Sequence, residues 1–187
     1  MFNKMLVGGT LLAVSLLMAG CQKVTHYSLS EQLVNHYLQS EIDPHIANLT
    51  DPQNIDVVLS FDKLSVDVGR DPAKIVSADG VVKAMLSLPE GKKSVDIDIQ
   101  FAGKPEFMPV KGAIYLDDVD IKHYQVVAGE DQSYIKYISP DLDYAITQYF
   151  KQNPIYILDK SSPIEDLALN TPNKFSVEKG QLLFSWL

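Results

Sequence analysis

The feature that most constrains the fold is a strict alternation of apolar and polar residues in the middle of the chain. Between Lys93 and Ala102, the apolar members are Val95, Ile97, Ile99 and Phe101, and the polar ones are Ser94, Asp96, Asp98 and Gln100. A period of two is that of a β-strand with one face buried and the other in water. The sequence therefore predicts an antiparallel sheet that is covered on one face and solvated on the other.

Three further segments continue this pattern. Ile55 to Val68 alternates on both sides of a one-residue slip at Asp62-Lys63, which predicts a β-bulge. Ile75 to Leu88 predicts a second long strand, and Val110 to Leu116 predicts a fourth. The fourth strand is expected to bend at Asp117-Asp118 and to continue beyond it.

The two ends of the sequence predict shorter elements. Residues Gln22 to Ser28 are expected to form a tether, and the polar stretch Asn48 to Asn54 a loop. Near the C-terminus we expect short strands around Tyr156 and from Leu167 to Leu169, and a hairpin whose turn contains Lys179-Gly180.

Two segments change to the helical period. Ser30 to Glu41 carries apolar residues on one side, with Ser30 as the N-cap. Pro140 to Gln152 begins with a proline suited to the first turn of a helix. Both helices are amphipathic, so each is expected to pack one face against the sheet.

The strand from Ile75 to Leu88 predicts an apolar groove. It would extend roughly 46 Å, and a strand that long must twist and coil. Its inner face is unusually rich in small residues, so either the helices fill the space or a ligand does. We predict an α+β fold in which a long, strongly coiled antiparallel sheet wraps around the two helices. The residues expected to line the groove are Tyr37, Leu38, Ala78, Gly80, Val82, Ala84, Ile146 and Phe150.

The only cysteine follows an apolar N-terminal run. Residues 1–20 have a lysine, an uncharged stretch and a final Ala19-Gly20, which is typical of a secretory signal peptide. The stretch "LLMAGC" resembles the lipobox of bacterial lipoproteins. This resemblance implies that the signal peptide is removed, that Cys21 is lipidated, and that the acyl chains hold the protein to a membrane. Gln22 takes the place of the Asp typical of inner-membrane retention, which implies the outer membrane and a domain facing the periplasm.

Composition narrows the possible partners. The formal net charge is −8, and loss of Lys4 with the signal peptide makes it −9. Such acidity argues against nucleic acid and against anionic headgroups as surface partners, since both require basic patches. Residues 21–28 would be the lipidated tether and residues 29–187 one domain. Lipidation of Cys21 would leave no thiol for a disulfide.

No catalytic or metal-binding pattern is evident in the sequence. The four histidines lack metal-ligand spacing, and the cluster Asp117, Asp118 and Asp120 lacks the glycine and glutamate of a calcium loop. No G-x-S-x-G motif is present, although a dispersed hydrolytic triad remains a weaker alternative. We therefore predict a protein that is not an enzyme and has no cofactor and no metal.

Taken together, the lipobox, the long strands, the helix opened by Ser139-Pro140 and the following "NPIYIL" resemble the YceB-like family of proteobacterial lipoproteins. The resemblance covers the whole mature chain and implies a fold similar to the tubular lipid-binding domains. It supplies no catalytic residue. Two functions follow as hypotheses: binding of a lipid or another hydrophobic ligand, or a non-catalytic role as an envelope interaction or assembly module.

Overall fold

A computed structural model describes residues 25–50, 55–73, 75–127, 131–171 and 174–186. Cys21 and the predicted signal peptide lie outside the described residues. In chain order the elements are β1 (His26–Ser30), α1 (Glu31–Ser40), β2 (His45–Thr50), β3 (Asp56–Val68), β4 (Val76–Leu88), β5 (Gly91–Met108), β6 (Ala113–Val126), a 3-10 helix (Gln132–Tyr137), α2 (Ser139–Gln152), β7 (Tyr156–Ile157), α3 (Pro163–Asn170), β8 (Lys174–Glu178) and β9 (Gln181–Ser185).

The strands form two antiparallel sheets. The larger has six strands in the order β2-β3-β4-β5-β6-β7, and the smaller has three in the order β1-β9-β8. The mixture of long antiparallel strands and separate helices confirms the predicted α+β class. The predicted C-terminal hairpin is confirmed as β8 and β9, and β7 confirms the short strand near Tyr156.

The register of the large sheet agrees with the alternation in the sequence. The four apolar residues of β5 are buried, with at most 1% of their surface exposed: Val95, Ile97, Ile99 and Phe101. Asp96 and Asp98 lie on the opposite face and are half-buried; on β4, Asp96 has Lys83 as its neighbour and Asp98 has Val81. The predicted bulge is confirmed by a register shift between Phe61 and Lys63.

The strong coiling of the sheet was not found, because no sheet in the described part of the chain is strongly curled. Its register gives a physical reason. Small residues of β4 face large partners on β5, since Ala78 is opposite Phe101 and Gly80 is opposite Ile99. Much of the missing volume is therefore supplied by the neighbouring strand, and the sheet does not have to curl to fill it.

Both predicted long helices are confirmed, with small shifts at their ends. Ser30 caps α1, its hydroxyl accepting a hydrogen bond from the Leu33 N–H at 3.3 Å. The helix α1 buries Val34 and Leu38, and α2 buries Ile146 and Phe150. Both helices pack against the large sheet, α1 along β3 and α2 beside β6.

Three short segments differ from the sequence prediction. The segment expected to be a tether up to Ser28 forms β1 from His26 onward, because β9 provides a hydrogen-bonding partner. The expected polar loop begins inside β2, which pairs with β3 as far as Thr50. The expected strand from Leu167 to Leu169 belongs to α3 instead. In addition, Val110 is fully exposed in the turn before β6 and is not part of a strand.

Candidate functional site

A cavity of about 620 Å³ lies between the C-terminal end of α1 and the bulge of β3. We call it the α1 cavity. Its apolar lining consists of Leu38, Ile42, Pro44, Phe61 and Leu64, and its polar lining of Gln39, Ser40, Asp62, Lys63 and Ser65. The cavity thus combines an apolar wall with a polar mouth.

The cavity forms because two different elements cover the edge of β3 and leave a gap between them. The strand β2 pairs with β3 only as far as Ser60, and the Phe61 N–H then donates to the Pro44 carbonyl at 2.8 Å. Further along, the side chain of Asn35 on α1 takes the place of a strand. Its amide group donates to the Val66 carbonyl at 2.9 Å, and its carbonyl accepts from the Val66 N–H at 2.7 Å.

The same geometry directs the backbone N–H and carbonyl of one residue, Leu64, toward the gap. Along an antiparallel strand, backbone groups point to alternate sides with a period of two. Since the N–H groups of Val66 and Val68 point to α1, where Val68 donates to Glu31 at 2.8 Å, those of Leu64 point the same way. Within the described residues, the Leu64 N–H and carbonyl have no strand or side-chain partner on that side. The α1 cavity therefore offers one donor and one acceptor beside apolar side chains.

An aromatic cluster closes the cavity toward the core. The ring of Phe61 lies 5.2 Å from that of Tyr149 and 5.9 Å from that of Phe150, measured between centroids. The Tyr149 hydroxyl donates to the Asp43 carbonyl, and burial raises the pKa of Tyr149 well above its usual range. The hydroxyl thus stays neutral and ties α2 to the loop before β2.

The charges at the mouth of the cavity are largely compensated. Lys83 Nζ lies 3.5 Å from the carboxylate of Asp62, so the extra residue of the bulge carries an ion pair on the solvent side. Both partners are about half exposed, and such a pair contributes little to stability. The mouth is polar without a strong net charge of one sign.

Of the residues predicted to line a groove, only Leu38 is in the wall of this cavity. Gly80 is directly behind it, since a Cβ added there would be 3.5 Å from Leu64 Cδ1. The others on β4 face the buried side of the sheet: Ala78, Val82 and Ala84.

On the helices, Ile146 and Phe150 are buried, and Tyr37 is half-buried with its ring 5.4 Å from that of Tyr156. The Phe150 ring lies 5.0 Å from Phe101 and so occupies space opposite the small residues of β4. The role of these predicted residues in ligand binding stays a prediction.

Sequence reasoning missed Ile42, Pro44, Phe61 and Leu64 as lining residues. One signal was available, because the one-residue slip at Asp62-Lys63 lies between Phe61 and Leu64. A bulge interrupts strand pairing, and such interruptions are common beside functional sites.

The acidic cluster of β6 does not converge on one point. Asp118 accepts a hydrogen bond from Lys104 at 2.6 Å, and Asp120 accepts one from Lys122 at 2.5 Å. No group of three or more His, Cys, Asp or Glu side chains that could hold a metal ion is found in the part of the chain that the structure describes. Among those same residues, no helix has the length and apolar character needed to span a membrane.

These observations define the protein as an antiparallel α+β domain with an apolar cavity at a strand bulge. The chain belongs to the family described as "Protein of unknown function (DUF1439)", whose model matches residues 29–181. It is similar to the "Uncharacterized lipoprotein YceB" of Salmonella typhimurium, with 27% identity over 173 residues, covering 92% of each chain. The Escherichia coli protein of the same name is 25% identical over 182 residues, covering 97% of each.

A comparison with solved structures finds one titled "Crystal structure of lipopolysaccharide binding protein". The match has a TM-score of 0.33 and 10% identity, and it covers 86% of this chain. This chain spans 40% of the length of that structure.

Proposed function

We propose that this protein is a non-catalytic envelope lipoprotein that binds a lipid or another hydrophobic ligand in the α1 cavity. Lipidation of Cys21 anchors it in the outer membrane with the domain facing the periplasm. The lipobox-like sequence before Cys21 and the naming of similar proteins as lipoproteins support the anchor.

The observation that carries the ligand-binding proposal is the α1 cavity itself. Its volume of about 620 Å³ falls within the roughly 300–1,000 Å³ of small-molecule sites. Apolar side chains line one part of it, and the backbone N–H and carbonyl of Leu64 provide one hydrogen-bond donor and one acceptor. This combination fits an amphiphile whose hydrocarbon chain is buried and whose polar group is bound at the mouth.

The predicted groove residues extend this site toward the core. Gly80 lies behind Leu64, but the space beside it is already occupied, because a Cβ added there would be 3.0 Å from the Lys63 carbonyl oxygen and 3.5 Å from Leu64 Cδ1. Penetration of a hydrocarbon chain toward Ala78 therefore requires Leu64 to shift and Phe150 to move away from Phe101, which is opposite Ala78. The depth of binding is therefore set by the packing of α2 against the sheet.

The second function, an envelope interaction module, is favoured by a different observation. Phe150 and Ile146 already fill the space opposite β4, while several large apolar side chains are exposed, among them Val110 and Ile157. If no ligand enters the domain, these exposed residues are the alternative functional surface.

The ligand-binding proposal is tested by filling the cavity with a larger side chain. Ile42 is half-buried in the cavity wall, so Ile42→Trp occupies the cavity without disturbing the central core. The matched control is Val58→Trp, which adds the same side chain on the outer face of β3, where Val58 is 39% exposed. The protein is produced as residues 22–187 behind a cleavable signal peptide. It then lacks Cys21, so its own acyl chains cannot compete for the cavity, and uptake of a fluorescent fatty acid is measured.

We expect the wild type and Val58→Trp to take up the fatty acid and Ile42→Trp to lose this uptake. Thermal melting of all three proteins establishes that they are folded. At a free fatty-acid concentration one hundred times the dissociation constant, binding is expected to raise the free energy of unfolding of the wild type by about 2.7 kcal/mol. Absence of uptake by the folded wild type would favour the interaction module.

A further inference from the structure

A second cleft lies at the far end of the β5–β6 hairpin, away from the α1 cavity. It has a volume of about 640 Å³, and we call it the hairpin cleft. Its lining residues are Pro105, Glu106, Phe107, Pro109, Leu169, Asn170, Thr171 and Phe175. The turn beside it allows a close approach, since Gly112 has a φ of 64° and a Cβ there would be 3.0 Å from Leu169.

Exposed apolar side chains gather around this cleft. Val110, in the turn between β5 and β6, is fully exposed. Ile157, which is 46% exposed, pairs with Ala113 immediately after that turn. Leu167 is 38% exposed and belongs to the same short helix as Leu169. Protruding apolar residues beside an apolar cleft are typical of a surface that meets a partner or a membrane.

The described chain begins at the same end of the molecule. Tyr27 stacks on Phe184 at 5.9 Å between ring centroids, and Phe184 contacts Phe107 of the cleft at 4.9 Å. The Thr25 carbonyl accepts a hydrogen bond from the Trp186 N–H at 3.0 Å. The start of β1 is thus connected to the hairpin cleft through two aromatic contacts.

The position of Cys21 in the sequence limits where a membrane can be. Four residues extend at most about 14 Å. An acyl anchor on Cys21 therefore keeps the bilayer surface within about 14 Å of Thr25. The end of the domain that carries Thr25, Trp186 and the hairpin cleft is therefore within reach of that surface. Lys111 and Lys174 are exposed at this end, and so is Glu106 of the cleft, so contact with the bilayer would rest on the apolar side chains rather than on charge.

We propose that this end is a membrane-docking face, on which Val110 enters the bilayer interface and the hairpin cleft opens toward the acyl chains. The occupant is the surface of the bilayer that holds the anchor. The inference rests on the Cys21 anchor of the proposed function, but not on ligand binding in the α1 cavity. The two apolar sites then have different tasks: one orients the domain, and the other holds a ligand.

The test places one fluorescent probe at a time on the lipidated full chain. Lipidation occupies Cys21, so a cysteine introduced by Val110→Cys or by Val58→Cys is the only free thiol. Both positions are exposed, which keeps the fold intact, and Val58 on the outer face of the sheet is the matched control. Each protein is labelled with an environment-sensitive dye and reconstituted into vesicles of phosphatidylethanolamine and phosphatidylglycerol, with and without a nitroxide lipid.

With the dye at position 110, we expect a blue shift of the emission on the vesicles and loss of most of the fluorescence when they contain the nitroxide lipid. With the dye at position 58, we expect neither change. If both probes stay in water while the protein floats with the vesicles, the docking face is wrong and the anchor stands. Equal quenching at both positions contradicts the proposed orientation. A protein that does not float with the vesicles would overturn the anchor and the docking face together, whereas fatty-acid uptake by residues 22–187 is measured independently of either.

Discussion

The carboxylate of Glu165 is buried where β1, β7 and α3 meet. It accepts hydrogen bonds from the Tyr27 hydroxyl at 2.8 Å, from the Tyr156 hydroxyl at 3.2 Å and from the Asp159 N–H at 2.7 Å. A buried charge is tolerated only when its hydrogen bonds are satisfied, and these three donors satisfy it. At the scale of single residues, this cluster fixes the N-terminal strand to the rest of the domain.

Replacing Glu165 with alanine removes the acceptor for all three donors. Each buried polar group left without a partner costs about 1–3 kcal/mol, so we expect Glu165→Ala to lower the free energy of unfolding by about 3 kcal/mol or more. Urea unfolding measures this. The control is Glu90→Ala in the exposed turn before β5, which should change stability by less than about 0.5 kcal/mol. Equal effects of the two substitutions would contradict the role of the cluster.

The buried tyrosines predict that the protein loses stability in alkali. Burial, assisted by the charge of Glu165, raises the pKa of Tyr156 to about 12. Burial also raises the pKa of Tyr27 and of Tyr149. An unfolded tyrosine ionises near pH 10. The unfolded state therefore loses these protons first, so their contribution is complete below about pH 10 and, for Tyr156, is lost as the pH rises toward 12.

Urea midpoints measured from neutral pH to about pH 11 check this dependence. The decline should be shallower in Tyr156→Phe, which cannot ionise, and unchanged in Tyr144→Phe, because Tyr144 is 67% exposed. A flat profile in the wild type, or the same slope in both variants, would show that the burial of these hydroxyls does not govern alkaline stability.

At the scale of elements, the long strands were predictable because each buries one complete face. A shift of one residue would expose every apolar side chain of β5, so Val95 to Phe101 permit one register. The bulge was equally visible as a slip in the alternation. The helices α1 and α2 were predictable from their caps and apolar stripes, since Ser30 and Pro140 are typical starting residues.

The short elements depend on partners distant in sequence and could not be predicted with the same rules. The strand β1 exists because β9, far along the chain, pairs with it. The polar residues of β2 are tolerated because it is an edge strand with one side open. For α3, helix signals were present in Pro163 and the acidic first turn, but the alternation of Leu167 and Leu169 suggested a strand.

The α1 cavity illustrates the same limit. The small inner face of β4 was visible in the sequence, and it indicated that volume was missing there. The location of the opening was not visible, because it depends on where β2 ends and where Asn35 of α1 begins to cover the edge of β3. Leu38, one of the predicted groove residues, lies in the wall of this cavity, whereas Ile42 and Leu64 could be found only from the structure.

A substitution at Phe101 tests the register of β5 and the packing of α2 together. It is 1% exposed and contacts the Phe150 ring at 5.0 Å. We expect Phe101→Ala to reduce the free energy of unfolding by about 3–5 kcal/mol, because a cavity is left between β5 and α2. The control is Met85→Ala on the outer face of β4, where a small effect is expected because Met85 is 41% exposed. Chemical unfolding of both variants measures these changes. A small decrease in the free energy of unfolding of Phe101→Ala would contradict tight packing at this position.

At the scale of the whole molecule, the proposal places two apolar sites at different parts of one acidic domain. The hairpin cleft is near the start of β1 and thus near the predicted anchor. The α1 cavity lies beside the bulge of β3 and opens through a polar mouth. Because the domain is acidic, we expect it to contact lipid through apolar side chains rather than through charged contacts with anionic headgroups.

The anchor is tested by membrane fractionation of cells. Cys21→Ala should abolish labelling by a fatty-acid analogue and release the protein from the membrane pellet. The wild type should be recovered with the outer membrane in a sucrose gradient, and Gln22→Asp should shift it toward the inner membrane. A Cys21→Ala protein that still takes up the label would refute lipidation at this residue, and recovery of the wild type with the inner membrane would refute the sorting.

The most direct test of the central claim is native mass spectrometry of the protein extracted from its own envelope. We predict that the wild type carries one additional hydrophobic molecule that survives gentle ionisation and is absent from Ile42→Trp, while Val58→Trp retains it. A folded wild type that shows only the mass of its own lipidated chain, identical in this respect to Ile42→Trp, would contradict the account.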